Sequence, residues 1–312
     1  MRLVFAGTPL AALPSLERLA ATHDVVAVLT RPATPQGRSG RPVASAVAQW
    51  AQTHGIEVLA PASPRAASLA RRLTELSPDC CPVVAYGGLI PRALLCQPPH
   101  GWINLHFSLL PAWRGAAPVQ RAILAGQTTT GVTTFQLVPD LDAGPVYRCQ
   151  STEIGRDETA GDLTRRLADI GAAVLDETLR AVAEGERPRS QPVEGVSLAP
   201  KIDPAEARVD PNQPAADLLS RIRAMSPEPG AWASLAEVPL KILRARLAEA
   251  PSDPAPVSGP GQVGDLVATK RALYWIVRDG AIELVEVQAA GRRAMAGADW
   301  ARGALRGPAR LV

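Results

Sequence analysis

Along the first half of the chain, short continuous apolar runs alternate with stretches of helical spacing. Residues 2–6 and 25–30 are almost wholly apolar, as expected of strands covered on both faces. A helix is expected between them, entered at Pro9, because proline is preorganised for a first helical turn. The alternation continues with a strand at 56–60, a helix at 66–75 and a strand at 82–86. A series of this kind predicts right-handed strand-helix-strand crossovers and a mostly parallel sheet. Residues 118–125 then read as a helix, 130–138 and 146–154 as strands, and 160–185 as a long amphipathic helix stopped by Gly and Pro. The first domain is therefore expected to span 1–187.

The rhythm changes after that point. Residues 188–208 are rich in Pro and polar groups and read as a linker. Within 209–312 a helix at 215–224 is followed by short strand-like runs at 239–243, 262–268, 273–277 and 282–287, separated by Gly, Pro and Asp. Short strands at that spacing predict a small β-barrel, with the Pro-rich stretch 251–260 as a loop inside it.

One strand breaks the apolar rule. In residues 103–108, Asn104, His106 and Ser108 alternate with apolar positions, and a period of two puts the three polar groups on one side. A core strand does not normally carry such a face. An amide and an imidazole at the carboxyl end of an apolar strand, with Pro111 and Gly115 just beyond, is how an open parallel sheet builds a site at its strand termini. Further along, Leu141-Asp142-Ala143-Gly144 supplies a carboxylate in a turn.

Composition narrows the classes. The 312 residues are 46% hydrophobic and 20% charged, which suits ordinary globular domains and neither disorder nor a fibre. No apolar run approaches the roughly 18 residues of a membrane span, and the start lacks a basic segment followed by an apolar one, so a cytoplasmic protein is expected. Cys80 and Cys81 are adjacent while Cys96 and Cys149 are scattered, which is neither a zinc spacing nor a disulfide framework; they read as small apolar residues, and no metal site is expected. A net charge of +3 permits a polyanionic partner without demanding one.

The run Asn104-x-His106-x-Ser108-Leu109-Leu110-Pro111-x-x-Arg114-Gly115-x-x-Pro118, followed by Leu141-Asp142-x-Gly144, resembles the signature of the folate-dependent formyltransferases. Other segments resemble the methionyl-tRNA formyltransferases in particular. They include Phe5-Ala6-Gly7-Thr8-Pro9, Pro35-Gln36-Gly37-Arg38, the stretch from Lys201-Ile202 to Asp210, Pro227-x-Pro229-Gly230-Ala231-Trp232 and Gln288-x-Ala290-Gly291-Arg292-Arg293. The likeness is collinear over essentially the whole chain.

The resemblance implies an α/β fold, a Rossmann-like mostly parallel sheet domain followed by a small OB-like β-barrel domain. It also implies transfer of the formyl group of 10-formyltetrahydrofolate to the amino group of initiator methionyl-tRNA, leaving tetrahydrofolate. Asn104, His106 and Asp142 would be catalytic, since acyl transfer needs a donor for the developing oxyanion and a route for a proton. The folate would lie against Gly87, Gly88, Leu89 and Ile90, against Ser108, Leu109, Leu110 and Pro111, and against Val138, Pro139, Asp140 and Leu141. Ser108 is equally suited to a hydrogen bond within the turn that follows it. Arg38 and Arg41, in a basic loop, and Arg292 and Arg293 would contact the tRNA. Phe107 stands where the family more often has a small residue, so altered packing behind the catalytic strand is expected. A monomer is expected.

Three other readings compete. A nicotinamide-dependent oxidoreductase is disfavoured because Ala6-Gly7-Thr8-Pro9 lacks the G-x-G-x-x-G turn and Arg31, not an acid, follows the second strand. A formyltransferase acting on a sugar-nucleotide amine shares the catalytic residues, and the basic loop around Arg38 argues against it. A tRNA-binding protein without catalysis is opposed by the intact Asn104, His106 and Asp142.

Overall fold

The computed structural model describes residues 1–36, 40–248 and 262–312. Arg38 and the Pro-rich stretch 251–260 lie outside the described residues. The chain forms two compact units, the first made of Met1–Pro118, Thr129–Glu153 and Thr164–Ala199, the second of Val119–Thr128, Ile154–Leu163 and Pro200–Val312.

The first unit is built on seven strands: β1 (Arg2–Gly7), β2 (Asp24–Leu29), β3 (Glu57–Leu59), β4 (Cys81–Val84), β5 (Trp102–His106), β6 (Thr129–Gln136) and β7 (Val146–Glu153). They lie in the order β7-β6-β5-β4-β1-β2-β3. The five from β5 to β3 are parallel, and β6 and β7 add an antiparallel edge. From β1 the chain builds outward through β2 and β3, then returns to place β4 on the other side of β1. The strand order therefore reverses between β1 and β4, and an open sheet forms its crevice beyond the carboxyl ends of strands at such a point.

Helices α1 (Leu13–Thr22), α2 (Ala46–Thr53) and α3 (Ala67–Leu76) connect the parallel strands. The helix expected from Pro9 starts at Leu13, because a single 3₁₀ turn at Leu10–Ala12 comes first. The eight-residue α2 has no counterpart among the elements read from the pattern; its start is fixed by Ser45, whose side chain accepts from the Ala48 N–H at 3.0 Å. Leu69, Leu73 and Leu76 of α3 lie at helical spacing and pack into one core with Val4, Ala6, Cys81 and Trp102. Helix α4 (Ala160–Ala183) buries Leu167, Val174 and Leu179 in the same way. Residues after α4 then come back to the first unit. Arg189 exchanges backbone hydrogen bonds with Val146, and Leu198–Ala199 pairs in parallel with Arg114–Gly115.

The second unit carries an antiparallel sheet of β8 (Ala231–Leu235), β9 (Val238–Ala248), β10 (Asp265–Ala268), β11 (Leu273–Val277), β12 (Gly280–Ala289) and β13 (Ala309–Arg310), in the order β8-β9-β12-β11-β10-β13. Leu235 at the end of β8 bridges Leu311 beyond β13, so the two edges approach and the sheet curls into a half-barrel. Its inner face carries Leu240, Ile242, Leu273, Trp275, Ile282 and Leu284, closed by Leu218 and Ile222 of α5 (Ala215–Met225). Strand β9 runs further than its first apolar run predicts. Arg244 and Arg246 interrupt the sequence pattern, yet each faces a carboxylate across the ladder, Glu286 and Glu283 respectively. Helix α6 (Gly297–Ala304), which turns Trp300 and Ala301 inward, was not legible from apolar spacing because only those two positions carry its buried face with Gly297. The fold class read from the sequence is the one found: a mostly parallel α/β sheet followed by a small curled β domain.

Candidate active site

Beyond the carboxyl ends of β4 and β5 the first unit holds a cavity of about 570 Å³. One wall is the segment after β4, where Ala85 and Gly87 take left-handed φ values of 47° and 75° and turn the chain back on itself. Two outside contacts fix that segment: the Thr8 hydroxyl donates to the Tyr86 carbonyl at 2.8 Å, and the Arg31 guanidinium donates to the Gly87 carbonyl at 3.2 Å. Gly87, Gly88, Leu89 and Ile90 line this wall, and Val138, Pro139, Asp140 and Leu141 line the opposite one.

Asn104, His106 and Asp142 line the same cavity. Among the described residues none hydrogen-bonds the Asn104 carboxamide. His106 is 6% exposed and sits edge-on to Phe135. Its Nε2 lies 2.8 Å from the Trp113 carbonyl. A carbonyl can only accept, so Nε2 carries the proton and donates, which leaves Nδ1 as the titrating nitrogen. Nδ1 faces Asp142 Oδ2 at 3.8 Å, beyond a direct hydrogen bond but well within Coulombic reach. Burial pushes the His106 imidazole below its ordinary value, while the Asp142 carboxylate and the hydrogen bond to Trp113 pull it part of the way back. Burial thus favours the uncharged ring, and a carboxylate stands beside its protonated form.

The loop bearing Asp142 is tightly specified. Asp142 has a φ of 47°, a conformation that Asp tolerates better than most side chains, and its Oδ2 accepts the Gly115 N–H at 2.8 Å. A side chain at Gly144 would put its Cβ 1.7 Å from the Gln136 carbonyl oxygen, so only glycine lets the loop lie this close to β6. Gln191 spans the loop from outside. Its Nε2 donates to the carbonyls of Asp142 and Gly144 at 2.8 and 2.7 Å.

Ser108, Leu109, Leu110 and Pro111 do not line the cavity. Strand β5 ends at His106, so the alternation that grouped Ser108 with Asn104 and His106 stops there. Ser108 is fully buried and its hydroxyl donates to the Ala112 carbonyl at 2.6 Å, within the turn. The Leu110 N–H donates to the Thr133 hydroxyl, and the Leu110 side chain lines a different cavity beside Tyr147 and Arg189. Phe107 is on the cavity wall and not behind the strand, for the same reason that the pleat has ended. Residues that sequence reading did not single out for the site include Tyr86, Leu95, Leu105, Ala116 and Leu137 on the walls, and the backbone groups of Trp113 and Gly115. Backbone donors and acceptors leave no signal in side-chain chemistry.

The basic residues named for the tRNA come from both units. Arg41 is exposed in the hairpin that pairs Thr34–Gln36 with Arg41–Val43, at the edge of the undescribed residues that include Arg38. In the second unit Arg292 and Arg293 are exposed beyond β12 and, among the described residues, form no ion pair. Arg244, Arg246, Arg302 and Arg310, by contrast, pair with Asp162, Glu283, Asp299 and Asp265. Arg292 also lines, with Trp232, Lys241 and Gln288, a cavity of about 690 Å³ in the second unit.

The family model described as formyl transferase matches residues 1–179, and that of the formyl transferase C-terminal domain matches 201–305. The chain is 50% identical over 310 residues to the methionyl-tRNA formyltransferase of Mycobacterium tuberculosis, covering 97% of both chains. It is 51% identical over 306 residues to that of Thermobifida fusca, covering 97% of this chain and 96% of the relative. Among solved structures, HypX from Aquifex aeolicus in complex with tetrahydrofolic acid superposes with a TM-score of 0.69 at 19% identity, over 98% of this chain and 48% of that longer one, a likeness of fold. With both domain models matched in order and half of all positions shared with such relatives end to end, the chain belongs to the methionyl-tRNA formyltransferases of the formyl transferase family.

Proposed function

We propose that this chain transfers the formyl group of 10-formyltetrahydrofolate to the amino group of initiator methionyl-tRNA, with Asn104, His106 and Asp142 as its catalytic residues. The observation that carries the reading is the convergence of an amide, a buried imidazole and a carboxylate on one apolar cavity in a member of this family. The cavity suits the formyl donor. Its volume lies in the range that holds drug-sized ligands, Leu89, Ile90, Val138 and Leu141 supply apolar walls, and the main chain of Gly87 and Gly88 can approach a flat heterocycle edge-on. When bound, the folate supplies an activated formyl carbon.

The residues of the chain then divide the work. The Asn104 carboxamide donates to the formyl oxygen as negative charge develops there. His106 Nδ1 accepts the proton released by the attacking amine, Asp142 stabilises the imidazolium so formed, and the imidazolium gives the proton to the folate nitrogen as its bond to the formyl carbon breaks. Because the Trp113 carbonyl already holds Nε2–H, the proton has one place to arrive. The folate contacts proposed are Gly87 to Ile90 and Val138 to Leu141. Ser108, Leu109, Leu110 and Pro111 support the site by shaping the turn after β5.

Arg38 and Arg41 are proposed to contact the tRNA from the first unit. From the second unit Arg292 and Arg293 are proposed, because no carboxylate among the described residues pairs with either. The domains of this reading are a catalytic domain over 1–187, a linker over 188–208 and a tRNA-binding domain over 209–312. Action as a monomer in the cytoplasm, where methionyl-tRNA is used for translation, completes the reading. The described residues contain no helix long and apolar enough to cross a membrane.

The test is formyl transfer from 10-formyltetrahydrofolate at low salt, with methionyl-tRNA, uncharged tRNA, free methionine and a nucleotide-linked aminosugar as acceptors. Turnover with the charged initiator tRNA alone is expected. Turnover with the aminosugar alone would keep the catalytic residues and reassign the acceptor, and turnover with none would favour a binding protein.

A further inference from the structure

Gln191 comes from the segment that returns after α4, far in sequence from the cavity, and yet it has the most complete set of hydrogen bonds around the Asp142 loop. Its Nε2 donates to the Asp142 carbonyl at 2.8 Å and to the Gly144 carbonyl at 2.7 Å. Its Oε1 accepts from Arg114 Nε at 3.2 Å and from Arg114 Nη2 at 2.6 Å. A guanidinium only donates and a backbone carbonyl only accepts, so the carboxamide can sit in one orientation, and that orientation uses both of its protons and both oxygen lone pairs. Arg114 is in turn fixed by its own backbone, since its N–H donates to the Ser197 carbonyl and Arg114–Gly115 pairs in parallel with Leu198–Ala199.

The two neighbours in that pair act on the same carboxylate by different routes. Gly115 donates its N–H to Asp142 Oδ2 directly, and Arg114 acts on the Asp142 main chain through Gln191. Asp142 itself sits at a φ of 47°, a sparsely populated conformation that persists only where the surroundings over-determine it. With His106 Nδ1 3.8 Å away, an outward movement of the loop by about 1 Å would weaken their Coulombic coupling by about a fifth and turn the carboxylate away from the ring.

We propose that Gln191, held in orientation by Arg114, is the positioning residue that sets the Asp142 carboxylate against His106. The proposal rests on the catalytic reading of Asp142 above and adds to it a residue outside the cavity and outside the formyltransferase motif.

A double-mutant cycle in kcat between Gln191→Ala and Asp142→Asn tests it, with each variant's melting temperature and its Kd for tetrahydrofolate measured alongside. Misplacement of a catalytic group by about 1 Å costs about 10²-fold, so Gln191→Ala is expected to lower kcat by about 10- to 100-fold while the Kd changes by less than about twofold. In the Asp142→Asn background the same substitution is expected to cost less than about threefold, because a residue that works through Asp142 has nothing left to position. The ring titration of His106, followed by NMR, is expected to move to lower pH in Gln191→Ala as the carboxylate is released. Additive losses, an unmoved His106 titration, or a kcat within about threefold of the parent would each overturn the proposal. If Gln191→Ala melts too early to assay, Gln191→Glu replaces it in the kcat cycle, since it keeps both Arg114 contacts and turns an acceptor against the two carbonyls. Near-parental turnover in Asp142→Asn alone would instead remove the catalytic reading on which the proposal stands.

Discussion

At the scale of single residues, the site depends on how one ring nitrogen is committed and the other left available. The Trp113 carbonyl holds Nε2–H of His106, burial keeps the ring neutral, and Asp142 stands ready for the charged form. Removing one group that stabilises developing charge typically costs about 10²–10³ in rate, so Asn104→Ala, His106→Ala and Asp142→Ala are each expected to lose at least about that much in kcat, with smaller changes in KM for the formyl donor. Near-parental turnover in any one of them would remove its assigned role. The pH dependence has a definite sign. Since burial lowers His106, the acid limb of kcat/KM is expected below the ordinary imidazole value of about 6.5, and Asp142→Asn, which removes the raising influence, is expected to shift it lower still. The same burial has a stability consequence. His23 is also lowered, chiefly by burial and then by the N-terminal amine beside it. Both rings take up protons more readily in the unfolded chain than in the folded one. Stability is therefore expected to be full above about pH 6.5 and to decline as the pH falls through that value, a loss that melting temperatures at stepped pH will register.

At the scale of elements, a strand end and two loops place the chemistry. Strand β5 delivers Asn104 and His106 to the cavity because they stand two apart, and it stops at His106, which releases Phe107 to the wall and Ser108 to the turn. The loop from 138 to 144 is pressed against β6 so closely that Gly144 has no room for a methyl group. Gly144→Ala is accordingly expected to destabilise the fold by about 1–3 kcal/mol, as overpacking against rigid backbone does, and to lower kcat through Asp142. Denaturant unfolding and turnover measured on the same preparation check both parts. In the second unit, Arg244 and Arg246 interrupt the apolar pattern of β9 without breaking the strand, because each meets a carboxylate across the ladder. Those pairs are substantially exposed and contribute little to stability. Their consequence is that charge already matched by a carboxylate is a poorer candidate for a phosphate contact than the charge of Arg292 and Arg293.

At the scale of the whole molecule, the reaction asks for two kinds of recognition, a small apolar and hydrogen-bonding cavity for the formyl donor and a spread of cationic groups for a polyanion. Each phosphate contact removed lowers the salt dependence of binding by roughly one unit of slope. The Arg292→Ala/Arg293→Ala double variant is expected to raise KM for methionyl-tRNA, flatten its dependence on salt, and leave KM for 10-formyltetrahydrofolate unchanged. Arg38→Ala is expected to weaken use of the tRNA in the same selective manner, with kinetics at limiting tRNA as the readout. A parallel rise in both KM values would argue that these residues support the fold and do not read the tRNA.

Much of this molecule could be read from the order of its residues. The alternation of apolar runs with helical spacing foretold the parallel sheet, the change of rhythm foretold a small β domain, and the polar positions of residues 103–106 with Asp142 pointed to three groups that the fold brings to one cavity. These features are local, because strand and helix periodicity and residue chemistry are properties of short windows. The end of the pleat at His106 required the tertiary structure, and with it the separation of Ser108 from the cavity, as did the closure of the half-barrel through Leu235 and Leu311. So did the tautomer of His106 and the clamp formed by Arg114 and Gln191 on the Asp142 loop. Each of those depends on a backbone carbonyl or a long-range contact brought within about 3 Å, and such groups are the same for every residue type until folding decides which of them meet.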